Sequence, residues 1–164
     1  MSEPPVLIPR RVLFGNPERS SPRLSPDGRR MAFLAPDEGI LNVWLRTIGL
    51  DDDYDRPVTY DRKRGIRTFF WAENDRHLLY LQDSEGDENW HLFAVDLISG
   101  DTRDLTPYEN VTVQDVITDR EHQDEIMVAM NRRDPQLLDL HRVQLDSAES
   151  SVEAENPGNY VGWL

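Results

Sequence analysis

Apolar residues along the chain occur in short runs of five to seven positions, many of them alternating with polar residues. The runs are rich in Val, Ile, Phe, Tyr and Trp, and turn-forming residues separate them, as in Ser25-Pro26-Asp27-Gly28. Proline presets φ for the second turn position, aspartate bonds its own backbone, and glycine accepts a positive φ. The short length of the runs and their β-branched and aromatic content indicate strands rather than helices. The pattern predicts an all-β chain of short strands joined by tight turns.

A longer repeat groups these strands into units. The run, turn and run around Ser25 recur at 69–81 and at 113–130, about 46 to 48 residues apart each time. A third strand follows over 42–49, 92–100 and 140–147, and a short polar strand comes after it. Four short strands in a repeat of this length match one β-propeller blade. We therefore predict a β-propeller of four-stranded antiparallel blades.

The repeats amount to about three and a half blades. We place an N-terminal extension at 1–20, blades at 21–60, 66–107 and 111–155, and the start of a fourth blade at 156–164. Closed propellers contain about four to eight blades, because closure hides the apolar faces and edges of the outermost blades. We expect an incomplete propeller, which is either a fragment of a longer protein or completes its ring with another copy.

Composition narrows the classes of function. The 164 residues include 18 Lys and Arg against 31 Asp and Glu, a formal net charge of −13. This excess repels nucleic-acid backbones and anionic membranes, so we expect neither as a partner. The chain contains no cysteine, which excludes thiolate metal sites, and we expect no metal or other cofactor. The N-terminus has no secretory pattern and no apolar run is long enough for a bilayer, so we expect a cytoplasmic protein.

An ordered series of motifs resembles a known family. The series begins with Leu7-Ile8-Pro9-Arg10 and Phe14-Gly15-Asn16-Pro17-Glu18-Arg19, passes through the turn at Ser25 and Asn42-Val43-Trp44, and continues in Gly86-Asp87-Glu88-Asn89-Trp90-His91-Leu92-Phe93. With these residues the chain resembles the N-terminal β-propeller of the prolyl oligopeptidase family of serine peptidases. The resemblance is to the acylaminoacyl-peptidase or dipeptidyl-aminopeptidase-like branch and covers nearly the whole chain. The Ser-Pro-Asp-Gly turn by itself is shared with TolB-like propellers.

The resemblance implies a role within a larger protein. In this family the propeller caps a C-terminal α/β-hydrolase domain with a Ser/Asp/His triad, restricts the access of peptides and can contribute substrate contacts. The implied partners are the chain's own hydrolase domain and a peptide substrate, and the implied function is gating and scaffolding. No Gly-x-Ser-x-Gly elbow occurs in these residues, so we assign no catalytic residue to the chain.

The acidic cluster at 83–88 lies between the second and third strands of blade two and contains the candidate contact residues, Asp87 and Glu88. Carboxylates on a loop attract the free amine of a peptide, and they can also bind calcium. The spacing does not match the EF-hand calcium loop. The alternative is a solvated hairpin turn in which the carboxylates bond backbone amides.

A second hypothesis is a non-enzymatic protein-interaction module, either a TolB-like propeller or one completed by a homo-oligomer. The two hypotheses differ in whether further blades and a hydrolase domain follow Leu164. Under both, aromatic residues that recur at blade spacing are expected to pack in the core, namely Phe33, Trp44, Phe70, Trp71, Tyr80, Trp90 and Phe93.

Overall fold

The computed structural model describes residues 9–10, 18–84 and 86–163. The strands, in chain order, are β1 (Ser20–Leu24), β2 (Arg30–Asp37), β3 (Ile40–Thr47), β4 (Arg56–Pro57), β5 (Thr68–Trp71), β6 (His77–Asp83), β7 (Trp90–Asp96), β8 (Thr102–Asp104), β9 (Val113–Thr118), β10 (Glu125–Asp134), β11 (Leu137–Gln144) and β12 (Ser150–Ala154). A short 3-10 turn at Asp52–Tyr54 precedes β4. None of the helices within these described ranges is long and apolar enough to cross a membrane. The predicted all-β architecture is confirmed.

The strands form three four-stranded antiparallel sheets, β1 to β4, β5 to β8 and β9 to β12, each in sequence order. We call these sheets blades one, two and three. Their ladders share one register at the junction of the second and third strands, where the first pairs are Arg30 with Thr47, His77 with Asp96, and Glu125 with Gln144. The repeat detected in the sequence is therefore a repeat of equivalent structural positions.

Local turn chemistry explains the first hairpin of each blade. In blade one, Oγ of Ser25 donates to Asp27 Oδ1 at 2.6 Å and accepts from the Arg30 amide at 3.0 Å. Gly28 has a φ of +68°, which glycine adopts without the steric cost of a side chain. In blade two, Asn74 Oδ1 accepts from the amide of His77 at 3.1 Å and so substitutes for the serine. Different residues thus build the same hairpin.

Two apolar cores join neighbouring blades. The first contains Ala32, Leu34, Val43 and Leu45 of blade one with Phe69, Trp71, Leu78, Tyr80 and Val95 of blade two. The second contains Leu79, Leu92 and Ala94 of blade two with Val113, Ile126, Val128, Met130 and Val143 of blade three. Because cross-strand neighbours share one face of a sheet, blade two uses both of its faces. Of the expected aromatic residues, Phe33, Trp71 and Tyr80 are buried and the other four are half-buried. Trp71 and Tyr80 belong to the first core, and Phe70 and Phe93 pack against the cores, as predicted. Phe33 and Trp44 instead pair with each other on the outer face of blade one, where Arg46 lies over the ring of Phe33.

The outermost sheets are open, and no ring closes within the described residues. Residues 156–163, which we predicted to begin a fourth blade, contain no strand and lie against blade three. There the indole of Trp163 donates to the Leu138 carbonyl at 2.8 Å and contacts the ring of Tyr160 edge-on at 5.2 Å. The fold is an incomplete propeller, as predicted, while the start of a fourth blade stays a prediction. The N-terminal extension lies largely outside the described residues.

Candidate functional site

The candidate contact residues lie at one end of the blades. Successive antiparallel strands reverse direction, so the loop between the second and third strands and the linker to the next blade emerge at the same end. In blade two this places the loop between β6 and β7, described at residues 84 and 86–89, beside the linkers 58–67 and 105–112. We call this region the linker end. Asp87 and Glu88 are in its central loop.

Asp87 serves the turn itself. Its Oδ1 accepts from the amides of Ser84 at 3.2 Å and Asn89 at 3.1 Å, and its Oδ2 accepts from the side chain of Asn89 at 3.2 Å. Desolvation raises the pKa of Asp87, but these hydrogen bonds outweigh it and hold the pKa below its usual value. Glu88 is exposed and has a φ of +61°. The structure thus shows the backbone-bonding turn for Asp87 and leaves the carboxylate of Glu88 facing solvent.

The linker between blades one and two is organised around Asp61. Its Oδ2 accepts from the amides of Arg64 at 2.9 Å and Gly65 at 2.5 Å. The amide of Asp61 itself donates to Oδ1 of Asn42 at 2.7 Å, and Asn42 is fully buried. Burial raises the pKa of Asp61, but hydrogen bonds from Gly65 and Gln82 lower it further than burial raises it. The linker is therefore fixed rather than loosely solvated, and it carries Arg64 to the loop of blade two.

Asp83, at the end of β6, is the most buried carboxylate of this region. Its side chain is 3% exposed, and its Oδ1 lies 3.4 Å from Nε of Arg64. Its Oδ2 is buried without a hydrogen-bond partner. A Cβ at position 86 would collide with Nη1 of Arg64, so Gly86, with a φ of +94°, leaves the space in which the guanidinium lies. The acidic cluster thus contains one buried acceptor that the fold does not satisfy.

A histidine and aromatic rings complete the region. Nδ1 of His91 lies 2.8 Å from Oδ2 of Asp104, and the imidazole stacks on Phe93 with ring centres 6.4 Å apart. Phe93 in turn stacks on Tyr80 at 5.2 Å. Burial raises the pKa of Tyr80 to about 12, so this phenol stays neutral. A cavity of about 260 Å³ lies between the two linked blades, lined by Asp61, Lys63, Arg64, Gln82, Asp83, Ser84, His91 and Phe93.

Sequence reasoning missed a polar anchor that repeats in every blade. Asn42, His91 and Asp139 occupy equivalent positions near the start of the third strand. Asn42 accepts from Thr59 Oγ1 at 2.9 Å, His91 pairs with Asp104, and Asp139 accepts from the amide of Asn156 at 2.8 Å. Each anchor fixes the outer strand or the linker that follows. The available signal was a polar residue recurring at blade spacing inside an apolar strand, in three different chemical types.

The chemistry of the linker end fits binding. Among the described residues, no histidine hydrogen-bonds to a serine hydroxyl, which is the contact that activates a serine nucleophile. Within the same ranges, no three His, Asp or Glu side chains converge as metal ligands. What converges here is a buried acceptor, a guanidinium donor and aromatic surface, a combination that recognises polar ligands.

The sequence is similar to peptidases over nearly its whole length. It is 42% identical over 158 residues to dipeptidyl aminopeptidase BIII of Pseudoxanthomonas mexicana, covering 96% of this chain and 23% of that protein. It is 30% identical over 157 residues to dipeptidyl peptidase family member 6 of Caenorhabditis elegans, covering 92% and 21%. No family model matches the chain. The chain therefore spans less than a quarter of the length of these curated relatives.

Solved structures share the fold at low sequence identity. The β-propeller domain of the trilobed protease from Pyrococcus furiosus aligns with a TM-score of 0.58 and 20% identity, over 85% of this chain and 44% of that one. TolB of Acinetobacter baumannii aligns with a TM-score of 0.57 and 15% identity, over 82% of this chain and 32% of that one. Fold alone thus defines a β-propeller and does not separate peptidase propellers from TolB.

The sequence similarity makes that distinction. Both curated relatives are named as dipeptidyl peptidases, and the predicted resemblance rested on motifs spread along the same stretch of chain. The chain is a propeller of the prolyl oligopeptidase family.

Proposed function

We propose that this chain is part of the propeller of a dipeptidyl-aminopeptidase-like serine peptidase. In that protein it gates and scaffolds the access of peptides to a hydrolase domain outside these residues. The observation that carries the proposal is the 42% identity to dipeptidyl aminopeptidase BIII over 96% of the chain. Identity at this level over three blades extends well beyond the turn motifs that many propellers share.

The structure supports a scaffold role through its linkers. Gating requires that blades keep their positions while peptides pass, and here each blade-to-blade linker is fixed by buried hydrogen bonds. Thr59 Oγ1 accepts from the amide of Val43 at 2.8 Å, and the equivalent Thr106 Oγ1 accepts from that of Leu92 at 3.0 Å. Both threonines are buried. Each bond thereby fixes the start of a linker to the third strand of the blade before it, and the apolar cores join the blades themselves.

A chimera tests the proposal. The matching stretch of dipeptidyl aminopeptidase BIII is replaced by this chain, and the release of dipeptides from short and long peptides is measured. We expect the chimera to fold, to cleave short peptides and to discriminate against long ones as its parent does. A second chimera carries Leu92→Ala, which loosens the core between blades two and three, and should cleave long peptides relatively better. Two outcomes contradict the proposal. In one, the first chimera folds but is inactive, and in the other Leu92→Ala does not change the relative cleavage of long and short peptides.

Asp87 and Glu88 stay proposed contacts for the free amine of a peptide. Because the carboxylate oxygens of Asp87 already bond the turn, we expect Glu88 to make the larger contribution. In the chimera, Glu88→Gln should raise KM for peptides with a free N-terminus and leave blocked peptides unaffected. Glu109→Gln, an exposed change in the neighbouring linker, is the control for loss of charge. Equal effects of the two variants would remove Glu88 from the proposal.

The alternative function, a self-completing interaction module, is supported by the fold match to TolB alone. Light scattering of the purified chain over a concentration series separates the two. A defined dimer, twice the 19.0 kDa of the chain, favours the module. A monomer or a broad mixture of species favours the peptidase propeller.

A further inference from the structure

The cavity between blades one and two contains a donor and an acceptor that the proposed function does not use. The acceptor is Asp83, whose side chain is 3% exposed and whose Oδ2 has no hydrogen-bond partner. A buried carboxylate oxygen without a partner costs free energy unless a donor from outside the fold satisfies it. The position therefore indicates a ligand that brings an N–H group.

The donor is the guanidinium of Arg64. Its Nε lies 3.4 Å from Oδ1 of Asp83, and the side chain is 43% exposed. Gly86 leaves room for Nη1, so the guanidinium lies at the edge of the cavity that Asp83 also lines. A guanidinium presents a planar set of donors suited to a carboxylate. A ligand with an acceptor group next to its donor group would engage both residues.

Two other titratable side chains that line the cavity, Asp61 and His91, are already engaged. Asp61 accepts from the amides of Lys63, Arg64 and Gly65. His91 is paired with Asp104, and its ring lies with Phe93 along the cavity. Asp83 and Arg64 cancel each other in charge, so neither a simple cation nor a simple anion is favoured. A ligand that is itself zwitterionic satisfies both groups at once.

We propose that this cavity binds the α-ammonium and α-carboxylate groups of a free amino acid, the ammonium on Asp83 and the carboxylate on Arg64. The cavity volume of about 260 Å³ accommodates a molecule of this size. The ring of Phe93 supplies apolar surface for a small side chain. This inference does not depend on the proposed peptidase function, because it concerns only residues of blades one and two.

Ligand chemistry provides the first test. The ¹⁵N-labelled chain is titrated with L-alanine, N-acetyl-L-alanine, L-alaninamide and the dipeptide Ala-Ala, and amide shifts around the cavity are followed by NMR. L-Alanine should bind saturably, and the three others at least about tenfold more weakly, because each loses or displaces one charged hydrogen bond. Binding of Ala-Ala as tight as that of L-alanine would overturn the free amino acid as the ligand. The absence of saturable binding by L-alanine would overturn the site.

Two variants then test which residue binds the ammonium and which binds the carboxylate of the ligand. With Asp83→Asn, L-alanine should bind no better than N-acetyl-L-alanine, and with Arg64→Gln no better than L-alaninamide. Asp53→Asn changes the charge by the same amount at an exposed position and should leave affinity unchanged. Retention of full affinity by either site variant would overturn the assignment. Circular dichroism checks that each variant is folded. If a variant does not fold, the titration of the unaltered chain with L-alanine and its three analogues decides whether the site exists.

Discussion

Two positions that are equivalent in all three blades carry apolar residues on interior faces and arginine on outer faces. Both lie in the ladder between the second and third strands of each blade. At its second residue pair, the third strand carries Val95 in blade two and Val143 in blade three, both buried against a neighbouring blade. Blade one carries Arg46 there, on the face that no blade covers. At the third pair, the covered faces carry Leu45 and Ala94, while the uncovered face of blade three carries Arg142.

Both outer arginines are held by two carboxylates. Nη2 of Arg46 lies 2.6 Å from Asp55 and 2.5 Å from Asp52, and Arg142 lies 3.0 Å from Glu125 and 3.1 Å from Glu153. Two carboxylates of the loop at 51–55, those of Asp52 and Asp55, are thus part of an ion-pair network. The comparison shows that strand position alone does not determine polarity in this fold. At these two positions the residue type follows the presence of a neighbouring blade.

Placing arginine, the residue type of the outer faces, at an interior position should produce the largest loss of stability. Val95→Arg places a charge in an apolar core, where Val95 is 1% exposed. We expect a loss of more than about 3 kcal/mol in the free energy of unfolding, a large part of the stability of an ordinary domain. Urea denaturation followed by circular dichroism measures it. If the Val95→Arg chain were as stable as the parent chain, the interior face would tolerate an arginine as well as the outer face does.

A cavity in the interior core should have the next largest effect. Leu92 is fully buried between blades two and three, and Leu92→Ala should cost about 2–5 kcal/mol. Ile98→Ala is the matched control, since Ile98 is 81% exposed and its truncation should change stability by less than about 0.5 kcal/mol. Similar losses for the two variants would show that the interior faces are not the core.

Making the outer faces apolar should change association more than stability. Arg46→Val combined with Arg142→Leu gives both outer faces the residue types of the interior. The ion pairs are partly exposed, so we expect a smaller loss of stability than for Leu92→Ala, and one that shrinks in high salt. The exposed apolar faces should promote self-association, measured by light scattering. A double variant as monodisperse as the parent chain would contradict a protective role for the arginines.

The smallest expected effect concerns His141, which occupies the position of Trp44 and Phe93 in the third blade. It is 2% exposed, neither ring nitrogen has a hydrogen-bond partner, and burial together with the charge of Arg132 lowers its pKa while Asp139 opposes the shift. Because its folded pKa lies below the unfolded value, stability should fall as the pH drops through about 6.5. His141→Phe should remove this dependence, so its stabilising effect should be greater near pH 5 than near pH 8.

His122 provides a control of opposite sign. Its hydrogen bond with Asp119 raises its pKa, so its contribution is present at low pH and is lost as the pH rises through the folded value. His122→Gln should therefore reduce stability at low pH and leave it unchanged at high pH. If both variants changed the pH profile in the same direction, burial of His141 would not be the cause.

Much of the fold could be predicted from the residues, because its signals are local. The turn at Ser25 and the short aromatic run Phe69-Phe70-Trp71 indicate strands wherever such patterns occur. The site was predicted less well. Asp87 and Glu88 were predicted as contacts, and they stay a prediction, while Asp83 in the same acidic cluster is the buried carboxylate. Its ion-pair partner, Arg64, lies in the previous linker, and no sequence signal connects the two residues.

The sequence by itself therefore determined the strands, the turns and the blade period, since these follow from side-chain alternation and backbone preference within a few residues. Only the tertiary structure decided that Arg46 and Arg142 lie on open faces and Val95 and Val143 on closed ones. It also decided that Asp83 keeps an oxygen without a hydrogen-bond partner and that His141 is buried without one. The physical reason is that burial and charge pairing are set by neighbours distant in the chain, which a local pattern does not contain.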